Sequence, residues 1–277
     1  MVIIMKKGIR AHDVAAKGLS NICKKCFDED IHYLQLVLEK SVEGFEFGKF
    51  TEEYAKNLKK ELDGMKIAIL GSYINPSSSN SEELKKDIEK FKEKIKYASI
   101  LKPYAVGTET GFYGDVMSDK LNNTQEAYTH LLKNLGELVC EAERYNVNIG
   151  IEGVHCFVIN TPAKMAKLIR DLNSENVKVI FDPVNYINIG NYQNQDKIIE
   201  NAFELFADKI IVIHAKDFIV ENNTVKNVIP GEGILNYKLI FKKLKEYKID
   251  IPIISEEISD EKASKAFENL SRIQKEI

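Results

Sequence analysis

Apolar positions along the chain recur in two rhythms. Short β-rich runs occur at KGIRA (7–11), YLQLVLE (33–39), MKIAILG (65–71) and LKPYAVGTE (101–109). They continue as VNIGIE, VKVIFD, KIIVIHA and PIISE, ending at residues 152, 182, 215 and 256. Between them the apolar residues take helical spacing, over about 13–27, 51–63, 81–98, 124–145, 161–171, 194–206, 236–247 and 260–275. Eight strand–helix pairs in strict alternation predict a parallel sheet, and with this chain length a closed (β/α)8 TIM barrel forming a single domain over 1–277.

The punctuation agrees. Asn80 and Thr124 stand before acidic first turns, as N-caps do. Thr161-Pro162 puts proline at the first helical position, and Asp260 opens the last helix. One connection is longer than the rest, DFIVENNTVKNVIPGEGILN after the seventh strand. Its Asn222-Asn223 pair between β-rich flanks predicts a hairpin insertion at about 218–230, on the face where barrel loops build a site. The GEG at 231–233 is too short for a phosphate-binding fingerprint and reads as a turn closing that loop.

Strand alternation then exposes the chemistry. Glu152, Asp182, His214 and Glu256 each stand at or next to the end of a strand, at intervals of 30, 32 and 42 residues. About thirty residues is one strand–helix unit, so four ligand-type side chains reach the barrel mouth from successive strands. Capping of a loop explains any one of them alone, but not all four in register. Three carboxylates brought together repel unless a cation neutralises them. The oxygen and nitrogen donors suit one divalent metal ion: Mn, Co, Mg or Zn. Near them, Glu109 closes strand four, His155 follows Glu152 by three residues, and Lys216 shares a face with His214. All three are candidate substrate-binding residues. His12, Tyr73, Asn75 and Phe112 are weaker rim candidates.

Bulk properties narrow the class. Net charge is −3, which speaks against a non-specific nucleic-acid binder. Arginine occurs only at 10, 144, 170 and 272, so forked phosphate recognition has little to work with. No apolar run approaches a membrane span, and MVIIMKKGIR is too short in its apolar part for a signal peptide; the expectation is a cytoplasmic protein. Cys23, Cys26, Cys140 and Cys156 then read as thiols, with the lone CxxC as ordinary helix residues.

The segments IEGVH, FDPVN, HAKD, PGEG and the final SEE resemble the xylose isomerase-like TIM-barrel superfamily, along nearly the whole chain. That superfamily includes endonuclease IV, ketose 3-epimerases, hydroxypyruvate isomerase and inosose dehydratase. The resemblance implies that Glu152, Asp182, His214 and Glu256 hold one divalent metal. It also implies that Glu152 and Glu256 are the catalytic acid–base pair. Asn185 stands where endonuclease IV and the 3-epimerases carry a histidine, and becomes a substrate-binding candidate. No histidine follows between Asp217 and Pro230 to hold further metals, which argues against DNA repair. The loop after strand seven also lacks the arginine of the 3-epimerases.

The implied function is a metal-dependent sugar isomerase or epimerase, working by proton abstraction next to a metal-bound carbonyl through an enediolate. Its substrate is a small sugar or sugar phosphate, with no nucleic acid or membrane partner. A homo-oligomer is common among relatives. The alternatives are a dehydratase of the inosose dehydratase type and a non-catalytic sugar-binding barrel.

Overall fold

The β-rich runs form eight barrel strands: β1 (Lys6–Arg10), β2 (Tyr33–Leu36), β3 (Lys66–Gly71), β4 (Ala105–Glu109), β5 (Ile149–Glu152), β6 (Val177–Phe181), β7 (Ile210–Ala215) and β10 (Pro252–Ser255). They pair in parallel and close on themselves in the order β1-β10-β7-β6-β5-β4-β3-β2. The structure is a computed structural model and describes residues 5–114, 117 and 119–277. Residues 1–4, part of the N-terminal run read for a leader, lie outside the described residues.

The long helices are α1 (Leu19–Asp28), α3 (Glu52–Glu61), α4 (Ser81–Leu101), α6 (Gln125–Arg144), α7 (Pro162–Leu172), α8 (Gln195–Phe206), α9 (Tyr237–Glu246) and α10 (Asp260–Lys275). Asn80 caps α4 by accepting from the amides of Glu82 and Glu83. Thr124 and Thr161 cap α6 and α7 through Ala127 and Lys164. Each helix turns an apolar stripe onto the sheet, which places most of the core between sheet and helices. A second, smaller cluster fills the barrel interior: Tyr33, Ala68, Ile69, Ala105, Ile180, Val212 and Ile254. Gly107 makes room for it, since a Cβ there would lie 2.5 Å from Ile69 and 2.9 Å from Ile180.

Three stretches differ from the sequence pattern. The helix expected from about 13 begins at Leu19, after a 3-10 turn at Ala11–Asp13 and a left-handed Gly18. The second strand ends at Leu36, and Leu38–Ser41 forms a short helix, α2. Helix α4 runs to Leu101 and stops on left-handed Lys102, so β4 starts at Ala105 rather than 101. One more short helix, α5 (Asp119–Asn122), precedes α6.

After β7 the chain folds back in an antiparallel hairpin, β8 (Asp217–Glu221) with β9 (Thr224–Val228). Asn222 and Asn223 both have positive φ, 50° and 58°, as a two-residue type I′ turn requires. Asp217 anchors the remainder of this connection. Its carboxylate accepts from the amides of Phe218, Gly231, Gly233 and Leu235. Only glycine fits at 233, where a Cβ would lie 2.2 Å from Asp217 Oδ1. Among the described residues, no helix is long and apolar enough to cross a membrane.

Candidate metal centre

The strand ends bring Glu152, Asp182, His214 and Glu256 together, one potential ligand atom from each lying within 4.8 Å of the others. Glu152 is the last residue of β5, Asp182 follows β6, His214 is next to last in β7 and Glu256 follows β10. All four are buried. His214 Nδ1 lies 3.1 Å from Glu152 Oε1 and 3.5 Å from Glu256 Oε2. Asp182 turns one oxygen onto the backbone: Oδ1 accepts from the amides of Val184 and Asn185 at 2.8 and 3.1 Å. Its other oxygen, Oδ2, is buried and has no hydrogen-bond partner.

Neighbouring side chains set the orientation of the carboxylates. Asn185 Nδ2 donates to Glu152 Oε1 at 2.7 Å, and Gln35 Nε2 donates to Glu256 Oε1 at 3.0 Å. The Lys216 ammonium sits among the anions, 3.2 Å from both Asp182 and Glu256 and 3.4 Å from Glu257. Its contact with Asp182 Oδ2 is an ion pair outside hydrogen-bond geometry.

The electrostatics are those of an anion cluster short of positive charge. Burial pushes Asp182 up to about 6, helped by Glu152 and opposed by Lys216. Burial works against the His214 imidazolium, but Glu256 and Glu152 overcome it and raise the group to about 9. Burial also disfavours ionised Glu256, yet His214, Lys216 and Arg10 draw it down to about 2. Lys216 is held charged for the same reason, its burial outweighed by Asp182, Glu256 and Glu152. Glu109 is paired in register beside Glu152, and burial together with that neighbour raises it to about 7. Three carboxylates and one imidazole, with an Asp182 oxygen that accepts no hydrogen bond, are a donor set that fits a divalent cation.

The other candidates divide. Lys216 and Asn185 stand at the centre, Asn185 joining Glu152 to Lys216 by accepting from Nζ at 3.3 Å. The His155 amide donates to the Asn185 carbonyl, and the residue lines an adjacent cavity. Asn75 staples the loops, accepting from Ser77 and Phe112 amides and donating to the Phe112 carbonyl. Tyr73 accepts from Gln35. His12 is half-buried, and the neighbouring Arg10 is forked onto Asp13 at 2.7 and 3.0 Å. Cys23 and Cys26 are buried core thiols, pushed up to about 12 by burial.

Sequence reasoning missed Gln35, Arg10, Glu257 and Tyr186. Arg10 ends β1, where the strand-end rule that found Glu152 points as well; Gln35 is next to last in β2, whose end at Leu36 lies inside the apolar run 33–39. Glu257 carries a left-handed φ of 60°. Tyr186 packs its buried hydroxyl against Gly153, where a Cβ would lie 2.2 Å away.

Residues 28–276 match the model of a family described as xylose isomerase-like TIM barrel. An uncharacterized protein of Methanocaldococcus jannaschii is 29% identical over 201 residues, which are 70% of this chain and 65% of that relative's length. Among solved structures, a D-tagatose 3-epimerase-like protein superposes with a TM-score of 0.76 at 22% identity, over 98% of this chain and 97% of its own. The IOLI protein with a bound zinc atom superposes with a TM-score of 0.74 at 16% identity, over 98% and 97%. At these identities the likeness is one of fold.

Proposed function

The chain belongs to the xylose isomerase-like TIM-barrel family, and we propose that it is a divalent-metal-dependent sugar isomerase or epimerase. The observation that carries the reading is the convergence of Glu152, Asp182, His214 and Glu256 around an Asp182 oxygen with no hydrogen bond. The epimerase-like neighbour and the zinc recorded in the IOLI protein support it at the level of fold. The substrate is a small polyhydroxylated carbonyl compound, not a nucleic acid.

Glu152, Asp182, His214 and Glu256 would hold the ion. When bound, it supplies Lewis-acid polarisation of a substrate carbonyl, which acidifies the neighbouring C–H. Glu152 and Glu256 stand on strands separated by β6 and β7, and so reach the substrate from two sides. One carboxylate takes the proton from carbon, and the other returns one. Return to the opposite face of the same carbon gives epimerisation, and return to the adjacent carbon gives isomerisation. Asn185 and Gln35 orient the two bases through their hydrogen bonds. Lys216 keeps Glu256 ionised and binds a substrate oxygen as its charge is shared out. Glu109, pushed up to about 7, keeps a proton available to a substrate oxygen at neutral pH.

That same proton favours a second reading. A carboxylic acid beside the base can deliver a proton to a leaving hydroxyl, which is the step that distinguishes a dehydratase. The test is Glu256→Gln in the metal-loaded protein. The reading predicts loss of C–H exchange and of turnover even at metal concentrations that saturate the variant, with circular dichroism unchanged. Full activity in that variant would remove Glu256 from the mechanism.

A further inference from the structure

A cavity of 370 Å³ opens beside the metal centre, between the loop after β6 and the β8–β9 hairpin. It is lined by Asn185, Asn188, Asn223 and Asn227, with Ile187 and Val225 supplying apolar wall. Asn185 also donates to Glu152, and Lys216 lines the cavity while touching Asp182 and Glu256. Through Asn185 and Lys216 the cavity adjoins the four ligands, within reach of the far end of a substrate held there.

The chemistry of the wall is specific. Carboxamides present both donors and acceptors without charge, as sugar hydroxyls require. Asn185 is engaged by Glu152 and Lys216 and Asn227 Nδ2 by Glu257, so Asn223, Asn188 Nδ2 and Asn227 Oδ1 are the groups that face a ligand. The aliphatic side chains offer a surface for the C–H face of a ring. Among the described residues no arginine lines the cavity, and the one ammonium there, Lys216, is shared among three carboxylates. A phosphate placed here meets the Glu257 carboxylate, with no arginine to fork it. At ~30 Å³ per water the volume corresponds to about twelve waters, room enough for a hexose ring.

The wall is also held in place. Asn227 Nδ2 donates to Glu257 Oε2 at 2.9 Å, tying the hairpin to the loop after β10. Glu257 adopts its left-handed φ of 60° in this bridge, a conformation that costs a residue with a side chain. The bridge residues Asn227 and Glu257 line both the 370 Å³ cavity and a smaller one of 200 Å³ that Glu256 also lines.

Building on the sugar-processing reading above, we infer that this cavity is a subsite for a neutral glycosyl group, so that the substrate is a keto-sugar extended by a second ring rather than by a phosphate. The test is calorimetric binding to the metal-loaded full chain. The probes are fructose, fructose 6-phosphate, and fructose carrying a glucosyl group at O4 (maltulose) or O6 (isomaltulose). One of the two disaccharides should bind at least tenfold tighter than fructose, and the phosphate no tighter than fructose. Val225→Trp, which fills the cavity from the exposed hairpin, should abolish the preference and leave fructose binding within about twofold. Asn227→Ala, which breaks the bridge to Glu257 without adding bulk, should weaken the disaccharide several-fold and spare fructose.

Tighter binding of fructose 6-phosphate than of either disaccharide overturns the inference. So does a wild-type protein that binds fructose and both disaccharides equally, or a preference that survives Val225→Trp. Deuterium exchange on fructose in the same variants separates the two readings. Exchange without the disaccharide preference sinks the subsite alone, and the preference without exchange sinks the isomerase reading alone.

Discussion

Replacing Lys216 by methionine removes a buried cation and keeps most of its volume. The ammonium lies 3.2 Å from Asp182 and from Glu256, both nearly or fully buried, and 3.4 Å from the half-exposed Glu257. The Glu257 contact adds little, because water screens it. The other two leave uncompensated charge in a buried site when Lys216 is gone, a loss of about 3–5 kcal/mol for breaking such pairs. In a domain of this size each kcal/mol is worth about 2–4 °C in melting temperature. The metal-free variant should therefore melt roughly 10 °C below the wild type at neutral pH. The deficit should shrink in acid, where Asp182, already raised to about 6, takes up a proton instead.

A divalent ion neutralises the same carboxylates, so ion and lysine are partly redundant. A ligand at a thousand times its Kd stabilises by about 4 kcal/mol, and the gain should be larger in Lys216→Met than in the wild type. Thermal or denaturant unfolding with chelator and with Mn²⁺ or Zn²⁺ reads this directly. Equal midpoints in chelator, or an equal metal-induced rise in both proteins, would refute the picture of Lys216 as the counter-charge of the cluster.

Metal affinity should rise with pH. His214 at about 9 and Asp182 at about 6 both lie above their ordinary values, so the free protein holds protons that an ion must displace. Affinity should gain about tenfold per pH unit between roughly 6 and 9, more steeply below 6, and titrations in buffers of different ionisation enthalpy should count about one proton released at pH 7.5. Gly153→Ala should lose about 1–3 kcal/mol by pressing a methyl onto the Tyr186 hydroxyl, 2.2 Å from its position. Tyr186→Phe should restore most of that stability, since the hydroxyl has no partner to lose; an unchanged midpoint in the double variant speaks against the contact. Asn185→Ala should lower kcat about 10–100-fold with a smaller change in KM, because Glu152 loses the donor that orients it.

The barrel was legible because its signal repeats: eight apolar runs, each followed by an amphipathic length, and caps such as Asn80 and Thr124 placed as expected. The four convergent side chains were legible because each ends a strand, and strand ends meet at one mouth. What stayed hidden depends on contacts between segments distant in the chain. Nothing local says that Gln35 reaches Glu256 across 221 residues, or that Asp217 gathers amides up to 18 residues away. Asn75 reads as a polar rim residue until the Phe112 loop is seen folded against it. The end of β2 and the start of β4 are hidden because Val37 and Leu101 belong to apolar runs that continue into or out of helices, where hydrophobicity alone marks no boundary.

The most direct test of proton transfer at this site is NMR of ketoses incubated in D₂O with metal-loaded protein. The account predicts deuterium at a carbon adjacent to the carbonyl, at C3 for an epimerase or at C1 for an isomerase, lost on chelation and in Glu256→Gln. A protein that binds both metal and sugar yet leaves every such C–H unexchanged would contradict it.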